Sequence, residues 1–414
     1  RLKFMLIKRF AENTVNKISN DYKVILIVGP RQVGKTTLLK HISNGTDRMY
    51  VSLEDLTVRE LAITDPALFF QKYTPPILID EIQYAPQLLN YIKRYVDEQN
   101  INGTIWLTSS ITLPSIRTIK ESLGTRVGVL NLYGLVLSEI GNDIDCGCFL
   151  PENQHLLLRS KLTNHYSLKE IYQVIWKGSM PSIYNESSNE WQNYYAYYVH
   201  NLLQYDIIKQ LQVNDEMIFF RFFRAAAGQT GKIVNYAELA KSAEISAPTA
   251  KQWVKILEDI GIIYMLQPFR PPGSKYVVKA PKLYFCDTGL AAYLTSWNNA
   301  DALEGGAMSE QFFSTWVVME IYKSYSNMGI IPPIYYLRNF NGKEISLIIY
   351  ENDIVYPLII KNGSYPNKLI KTFSILEPVA KDAKLTIGNG GIICFCDEFL
   401  STVENINYIP VWML

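Results

Sequence analysis

The stretch Gly29-Pro30-Arg31-Gln32-Val33-Gly34-Lys35-Thr36-Thr37 constrains this chain more than any other. It follows the apolar, largely β-branched run Val24-Ile25-Leu26-Ile27-Val28 and leads into Leu38-Leu39-Lys40-His41-Ile42. A buried strand, a glycine-bounded loop and a helix are therefore predicted in succession, the context that a phosphate-binding loop requires. Gly29 and Gly34 let the backbone wrap with its N–H groups inward, Lys35 brings a point charge, and the Thr36 hydroxyl can ligate Mg2+. The helix that begins near Lys35 adds its positive N-terminal end. Pro30, Arg31, Gln32, Val33 and Thr37 complete the stretch expected to contact a nucleotide.

A second apolar strand, Ile77-Leu78-Ile79, ends in Asp80-Glu81. Beside a phosphate loop, the first acid can hold Mg2+, often through water, and the second can polarise an attacking water. Taken alone, the pair could equally cap a helix. The next strand, Thr104-Ile105-Trp106-Leu107-Thr108-Ser109-Ser110, ends in hydroxyls, and Ser110, with Thr108 as runner-up, is placed to sense a γ-phosphate. A plain strand-terminating Ser/Thr cluster is the alternative. Arg126, in Glu121-Ser122-Leu123-Gly124-Thr125-Arg126-Val127, could stabilise transition-state charge in cis or from a neighbouring subunit, or simply cap a helix end.

A length of 414 residues suggests roughly two to four domains. The 40 Lys and Arg nearly balance 39 Asp and Glu, for a net charge of +1. A global pull toward nucleic acid or an anionic membrane is thereby excluded, and any such contact must be local. No uninterrupted apolar run is long enough to span a bilayer, and the apolar stretch within Arg1–Arg9 is too short for a secretory signal, so a cytoplasmic protein with no membrane partner is expected. The five cysteines, Cys146, Cys148, Cys286, Cys394 and Cys396, read as reduced structural thiols, with zinc held by the two Cys-x-Cys pairs as the alternative. The four histidines form no cluster.

Gly29–Thr37, Asp80-Glu81-Ile82-Gln83, Thr108-Ser109-Ser110, the 121–127 stretch and Leu137-Ser138-Glu139 together resemble the AAA-type ATPases of bacteria and archaea that carry a winged helix and a nuclease-like C-terminal domain of unknown function. The resemblance covers nearly the whole chain. It implies an α/β fold: a P-loop NTPase (AAA-type) parallel sheet with helices on both faces, followed by a winged helix and a restriction-endonuclease-like α/β domain. The corresponding regions are an ATPase core over 1–142, a helical lid or linker over 143–212, a winged helix over 213–272 and a degenerate nuclease-like domain over 273–414. ATP and Mg2+ are the implied ligands, with Thr36 and Asp80 on the metal, Glu81 as the base, and Ser110 and Arg126 reading the γ-phosphate. The chain departs from the family in Thr108-Ser109-Ser110 for Thr-Gly-Ser, in Thr125-Arg126 for Gly-Arg and in Tyr205-Asp206 for Arg-Asp.

Downstream, Trp191, Tyr194, Tyr195, Tyr198, Leu202, Tyr205, Ile208 and Leu211 recur at helical spacing, a pattern of packing more than of base stacking. Trp176-Lys177-Gly178-Ser179-Met180-Pro181 resembles a Gly-x-x-Pro turn of the same family. Three helical segments between Glu216 and Ile260, followed by Ile262–Leu266, describe a winged helix whose third helix would expose Thr249, Lys251, Gln252 and Lys255, a thin basic face for DNA or a surface for a protein partner. In the last region, a helix starting at Glu310 and strands ending near Tyr350 and Lys361 follow the order of restriction-endonuclease-like folds. Ser346 and Ile359 stand where two metal-binding carboxylates would be needed, so a retained scaffold is expected, with Glu344 the one acid that could substitute. The sequence thus predicts an ATPase, with a nucleotide-gated switch acting on DNA or a protein as the alternative; oligomerisation is left open.

Overall fold

The computed structural model describes residues 7–110, 119–184, 190–207, 215–271, 278–401 and 405–414. Strands β1 (Val24–Gly29), β2 (Met49–Ser52), β3 (Ile77–Asp80), β4 (Ile105–Ser110) and β5 (Val127–Asn131) form a sheet in the order β2-β3-β4-β1-β5. Every pairing in it is parallel. Such sheets are covered on both faces, which is why β1, β3 and β4 are apolar or fully buried along their whole length rather than alternating with polar residues. Along β1, Val24, Leu26 and Val28 enter one apolar cluster, whereas Ile25 and Ile27 enter another. The first cluster closes over helices of the same region, including Leu88–Gln99 through Leu88, Leu89, Ile92 and Val96. The second is shared with the rest of the chain as far as Trp412, Met413 and Leu414.

The register fixes where the strand ends lie. Gly29 stands beside Ser110, Ile79 beside Leu107, and Ser52 beside Asp80. Three motifs separated in sequence therefore emerge at one edge of the sheet. Gly29 is also demanded by packing: a Cβ there would lie 2.0 Å from the carbonyl oxygen of Leu132, whose amide donates to Val28 O at 2.7 Å.

A second, three-stranded sheet contains β6 (Lys232–Ile233), β7 (Ile263–Leu266) and β8 (Lys282–Phe285) in the order β6-β8-β7. It follows the helices Glu216–Gly228, Tyr236–Ala243 and Ala247–Asp259. The boundary read at 272/273 separates β7 from β8, but the two are antiparallel neighbours, with Ile263 beside Phe285. Backbone pairing across a long connection leaves no local sequence trace. The third sheet runs β14 (Leu400–Ser401), β15 (Ile406–Pro410), β13 (Gly390–Cys394), β11 (Ile354–Ile360), β10 (Glu344–Glu351) and β9 (Ile334–Arg338), with β12 (Thr386–Ile387) beside β11. The buried helix Ser309–Asn327 lies between this region and the first sheet: Thr14 donates to Asn327 O at 2.7 Å and the hydroxyls of Tyr133 and Tyr322 meet at 3.2 Å.

The aromatic stripe is a packing face over the residues described: Trp191, Tyr195 and Tyr198 are buried in the helix Trp191–Asn201, which passes into a π-helical turn over Leu202–Ile207. Ile208, Leu211 and the side chain of Tyr205 lie outside the described residues. Asp287 ties this helix to its neighbours. Its Oδ1 accepts from Tyr195 OH and Leu290 N, both at 2.7 Å, and its Oδ2 accepts from Ser179 N at 2.6 Å and Ser179 Oγ at 2.9 Å. The Gly178–Pro181 turn thereby acquires a role invisible in the sequence. Gly178 has a φ of 89°, and a Cβ there would stand 2.3 Å from Tyr195 OH and under 3 Å from the Asp287 carboxylate. Replacing Asp287 with Ala strips the acceptor from four buried donors, and unpaired buried donors are costly. Urea denaturation is expected to show a loss of about 3 kcal/mol.

Candidate functional site

The phosphate loop occupies the turn between β1 and the helix Lys35–Ile42, as the period change from strand to helix predicts. Gly34 adopts a φ of 92° and Gln32 a φ of 63°, left-handed conformations that turn the chain tightly. Val33 is buried and packs in the core, whereas Gln32 and Thr37 are exposed. The Lys35 ammonium is buried and folds back over the loop, donating to Gly29 O at 2.8 Å and Pro30 O at 3.0 Å. Arg31 reaches Tyr84 OH at 3.3 Å.

Across the gap, Asp80 Oδ1 accepts from Thr36 Oγ1 at 2.7 Å and Thr108 Oγ1 at 2.5 Å, and Oδ2 accepts from Tyr50 OH at 3.2 Å. Thr108 also accepts the backbone amide of Glu81 at 2.9 Å, so a single hydroxyl orders both acids. Tyr50 is pushed up to about 12 by burial and by the Asp80 carboxylate, which keeps it a proton donor to Asp80. Its ring carries Lys40 at 3.4 Å from the centroid.

Glu81 sits in the left-handed region, with a φ of 59° and a ψ of 52°. For a non-glycine residue that conformation is a stored cost of the kind that collects at functional sites. Both carboxylate oxygens are engaged: Ser110 Oγ donates across them at 2.8 and 3.0 Å, Ser110 N approaches Oε2 at 3.2 Å, and the Gln83 amide donates to Oε2. Burial alone would raise its pKa and favour the neutral form. The Lys35 ammonium, the donors Gln83 and Ser110 and the Arg31 guanidinium outweigh that and hold the carboxyl below its ordinary value.

The structure thus brings together Gly29, Lys35, Thr36, Asp80, Glu81 and Ser110. It does not bring Arg126 to them, so of the alternatives the sequence left open, action in cis, from a neighbouring subunit or as a helix end, the first lacks support from the geometry. Arg126 precedes Val127, which is level with Val24 at the start of β1, whereas the phosphate loop follows the far end of that strand. Five residues of strand separate the two levels, about 16 Å. The guanidinium instead pairs with Asp97 through Nε at 2.5 Å and the second terminal nitrogen at 2.8 Å. Residues missed by the sequence reading include Tyr50, inside the edge strand β2 with no local cue, and Gln83, which lies within the Asp80-Glu81-Ile82-Gln83 box. The donor set fits a hard cation: the Thr36 hydroxyl and Asp80 carboxylate are adjacent oxygens suited to Mg2+.

Elsewhere, Ser346 Oγ accepts from Ile360 N at 3.1 Å, and Lys361 pairs with Glu310 at 3.0 Å. Glu344 is taken up by Lys282 and Arg338. Among the described residues no group of three or more His, Cys, Asp or Glu side chains could hold a metal. No helix of the described residues is long and apolar enough to cross a membrane.

Residues 21–141 match the family described as an AAA domain. This part of the chain is accordingly similar to AAA domains. Residues 168–301 match a domain of unknown function, DUF8612, which runs through the regions read as linker and winged helix and includes β8. An uncharacterized protein of Mycobacterium tuberculosis is 25% identical over 369 residues, covering 89% of this chain and 77% of its own length. One of Methanocaldococcus jannaschii is 24% identical over 308 residues, covering 65% and 62%. Among solved structures, the Walker-type ATPase of Pyrococcus abyssi is similar at 14% identity with a TM-score of 0.45, covering 70% of this chain and 96% of its own.

Replacing Thr108 with Val, nearly isosteric, leaves the Glu81 amide unpaired and Asp80 short of a donor. Thermal and urea unfolding should register a loss of about 1–3 kcal/mol. The lowered Glu81 value also sets a pH dependence. Its stabilising contribution is complete above the ordinary 4.5 of the unfolded chain and is lost as pH falls through the native value. Glu81→Gln should therefore flatten the acid limb of a stability profile below that point, and an unchanged limb would refute the assignment.

Proposed function

We propose that this protein binds ATP with Mg2+ in the loop 29–37 and hydrolyses it, and that nucleotide state is coupled to the region beyond the first sheet. The observation that carries the reading is the meeting of Lys35, the Thr36–Asp80 contact and the Glu81–Ser110 contact at one edge of the sheet. Thr36 and Asp80 would hold Mg2+, which when bound neutralises charge on the phosphate oxygens. Lys35 would exchange its two carbonyl partners for phosphate oxygens. Glu81, kept ionised, would accept the proton of the attacking water. Ser110, by releasing or gripping the Glu81 carboxylate, would report whether a γ-phosphate is present. Arg126 would act only on the nucleotide of a neighbouring copy in an oligomer.

A nucleotide-gated switch with little turnover is the second reading. It is favoured by the grip of Ser110 and Gln83 on both oxygens of Glu81, which must loosen before that group can serve a water.

The regional division at 142, 212 and 272 stays part of this proposal. Three consecutive helices followed by antiparallel strands support the winged-helix reading. On its third helix Lys255 is bridged to Glu258 at 3.0 Å and Asp259 at 2.9 Å, which leaves little net positive charge and favours a protein partner over DNA. The helix Ser309–Asn327, whose Glu310 pairs with Lys361 just past β11, and the antiparallel β10–β11 pair support a nuclease-like scaffold, with Ser346 and Ile359 in place of the acids. A cytoplasmic location belongs to the same proposal.

Phosphate release from Mg·ATP by the purified chain, with and without double-stranded DNA, tests the reading. Lys35→Ala should abolish turnover, and Glu81→Gln should lower it about a hundredfold or more while ATP still binds. Turnover that survives Lys35→Ala would overturn the site, whereas ATP binding without phosphate release would establish the switch.

A further inference from the structure

Arg9 lies ahead of the first helix, Ala11–Asp21, and belongs to none of the motifs above. Its side chain is 6% exposed, and the Glu139 side chain beside it is fully buried. The guanidinium is fanned over three elements. Its Nε donates to Glu139 Oε1 at 3.2 Å, one terminal nitrogen donates to Val33 O at 2.8 Å, and the other donates to Tyr133 O at 2.7 Å and approaches Gly134 O at 3.5 Å. A planar fork can meet a carboxylate and several carbonyls at once, which an ammonium on a flexible stem cannot. The counter-ion is itself held, because Glu139 accepts from Phe10 N at 2.7 Å and Val136 N at 3.1 Å.

Val33 is inside the phosphate loop. The peptide between Val33 and Gly34 is trans, so its C=O and N–H point in opposite directions. With the carbonyl anchored on Arg9, the Gly34 N–H is turned away from the 133–139 segment. We propose that Arg9 is a positioning residue for the phosphate loop, holding the Val33–Gly34 peptide with its N–H directed to the concave, anion-binding side.

The anchor continues beyond Glu139. The helix Leu137–Ile140 receives Glu320 at its first amide, with Leu137 N donating to Glu320 Oε2 at 2.7 Å. Glu320 Oε1 pairs with Lys323 at 2.7 Å, and Lys323 donates to Leu135 O at 2.6 Å. Two buried ion pairs, Arg9–Glu139 and Glu320–Lys323, both bonded to the backbone of residues 135–137, therefore link the posture of the loop to the helix Ser309–Asn327. This inference rests on the loop being a nucleotide site.

The test is Mg·ADP affinity by titration calorimetry on the full chain, with glycine-selective isotopic labelling to follow the Gly34 amide. Lys35→Ala assigns the signal to the loop. If the wild type binds no nucleotide, the functional reading fails, independently of Arg9. If the wild type binds, Arg9→Lys, which keeps the charge opposite Glu139 but loses the fork, should weaken binding by on the order of tenfold, and the Gly34 amide should lose its wild-type response to Mg·ADP. Glu139→Gln, which retains acceptors for Phe10 and Val136, should weaken binding several-fold. Wild-type affinity and an unaltered Gly34 response in either folded variant would overturn the proposal. A merely structural Arg9 would lower stability in both while leaving the Gly34 response intact.

Discussion

The in-register parallel pairing of β3, β4 and β1 is the constraint on which the rest of the site depends. Hydrogen bonds between the strands place Asp80, Thr108 and Gly29 at neighbouring levels, and side chains 28 and 44 residues away from Asp80 then converge on its carboxylate. A slip of one residue would turn every side chain to the opposite face. Such a slip would exchange Val24, Leu26 and Val28 with Ile25 and Ile27 between the two apolar clusters, so the fit of these side chains to their own cluster guards the register. The polar site is thus held by apolar packing beneath it.

Charges gathered at that edge are partly desolvated, and each is balanced locally. Lys35 lies on two carbonyls, Asp80 on three hydroxyls, and Glu81 on Ser110 and Gln83. Burial penalises an ionised carboxylate, and the depressed value of Glu81 shows that its neighbours more than offset this. The same rule explains the two ion pairs behind the loop. Arg9 with Glu139 and Glu320 with Lys323 are almost fully buried, an arrangement sustained only when the lone pairs and protons of each group find partners. Every one of them also bonds to backbone of another segment. The second face of the sheet is consequently joined to the C-terminal region by both apolar contact and fixed charge.

Legibility in the sequence followed the range of the interaction. The phosphate loop was legible because strand period, glycines, Lys35 and Thr36 lie within a dozen residues. The acid pair was legible as the end of an apolar run. The choice between cis, trans and helix-end roles for Arg126 was not legible because its motif supplies a residue type and no level within the sheet, whereas the pairing of Val127 with Val24 puts it at the end away from the loop. The place of β8 beside β7, and the clamp of Asp287 on Ser179 and Tyr195, depend on contacts across many residues, as does Tyr50 on Asp80. Arg9 had no cue at all, since its partners are backbone carbonyls that any residue could supply.

By itself the sequence determined the local conformations: a glycine-bounded loop between strand and helix, apolar strands that must be buried on both faces, and the kinds of side chain at their ends. These follow from steric limits and periodicity, which act over a few residues. The tertiary structure alone decided which ends share one edge, that Arg126 belongs to the other, that Glu81 is gripped by Ser110 and Gln83, and that Arg9 backs the loop. Those outcomes depend on strand order and on the desolvation of charges brought together from distant segments, and neither is encoded by spacing along the chain.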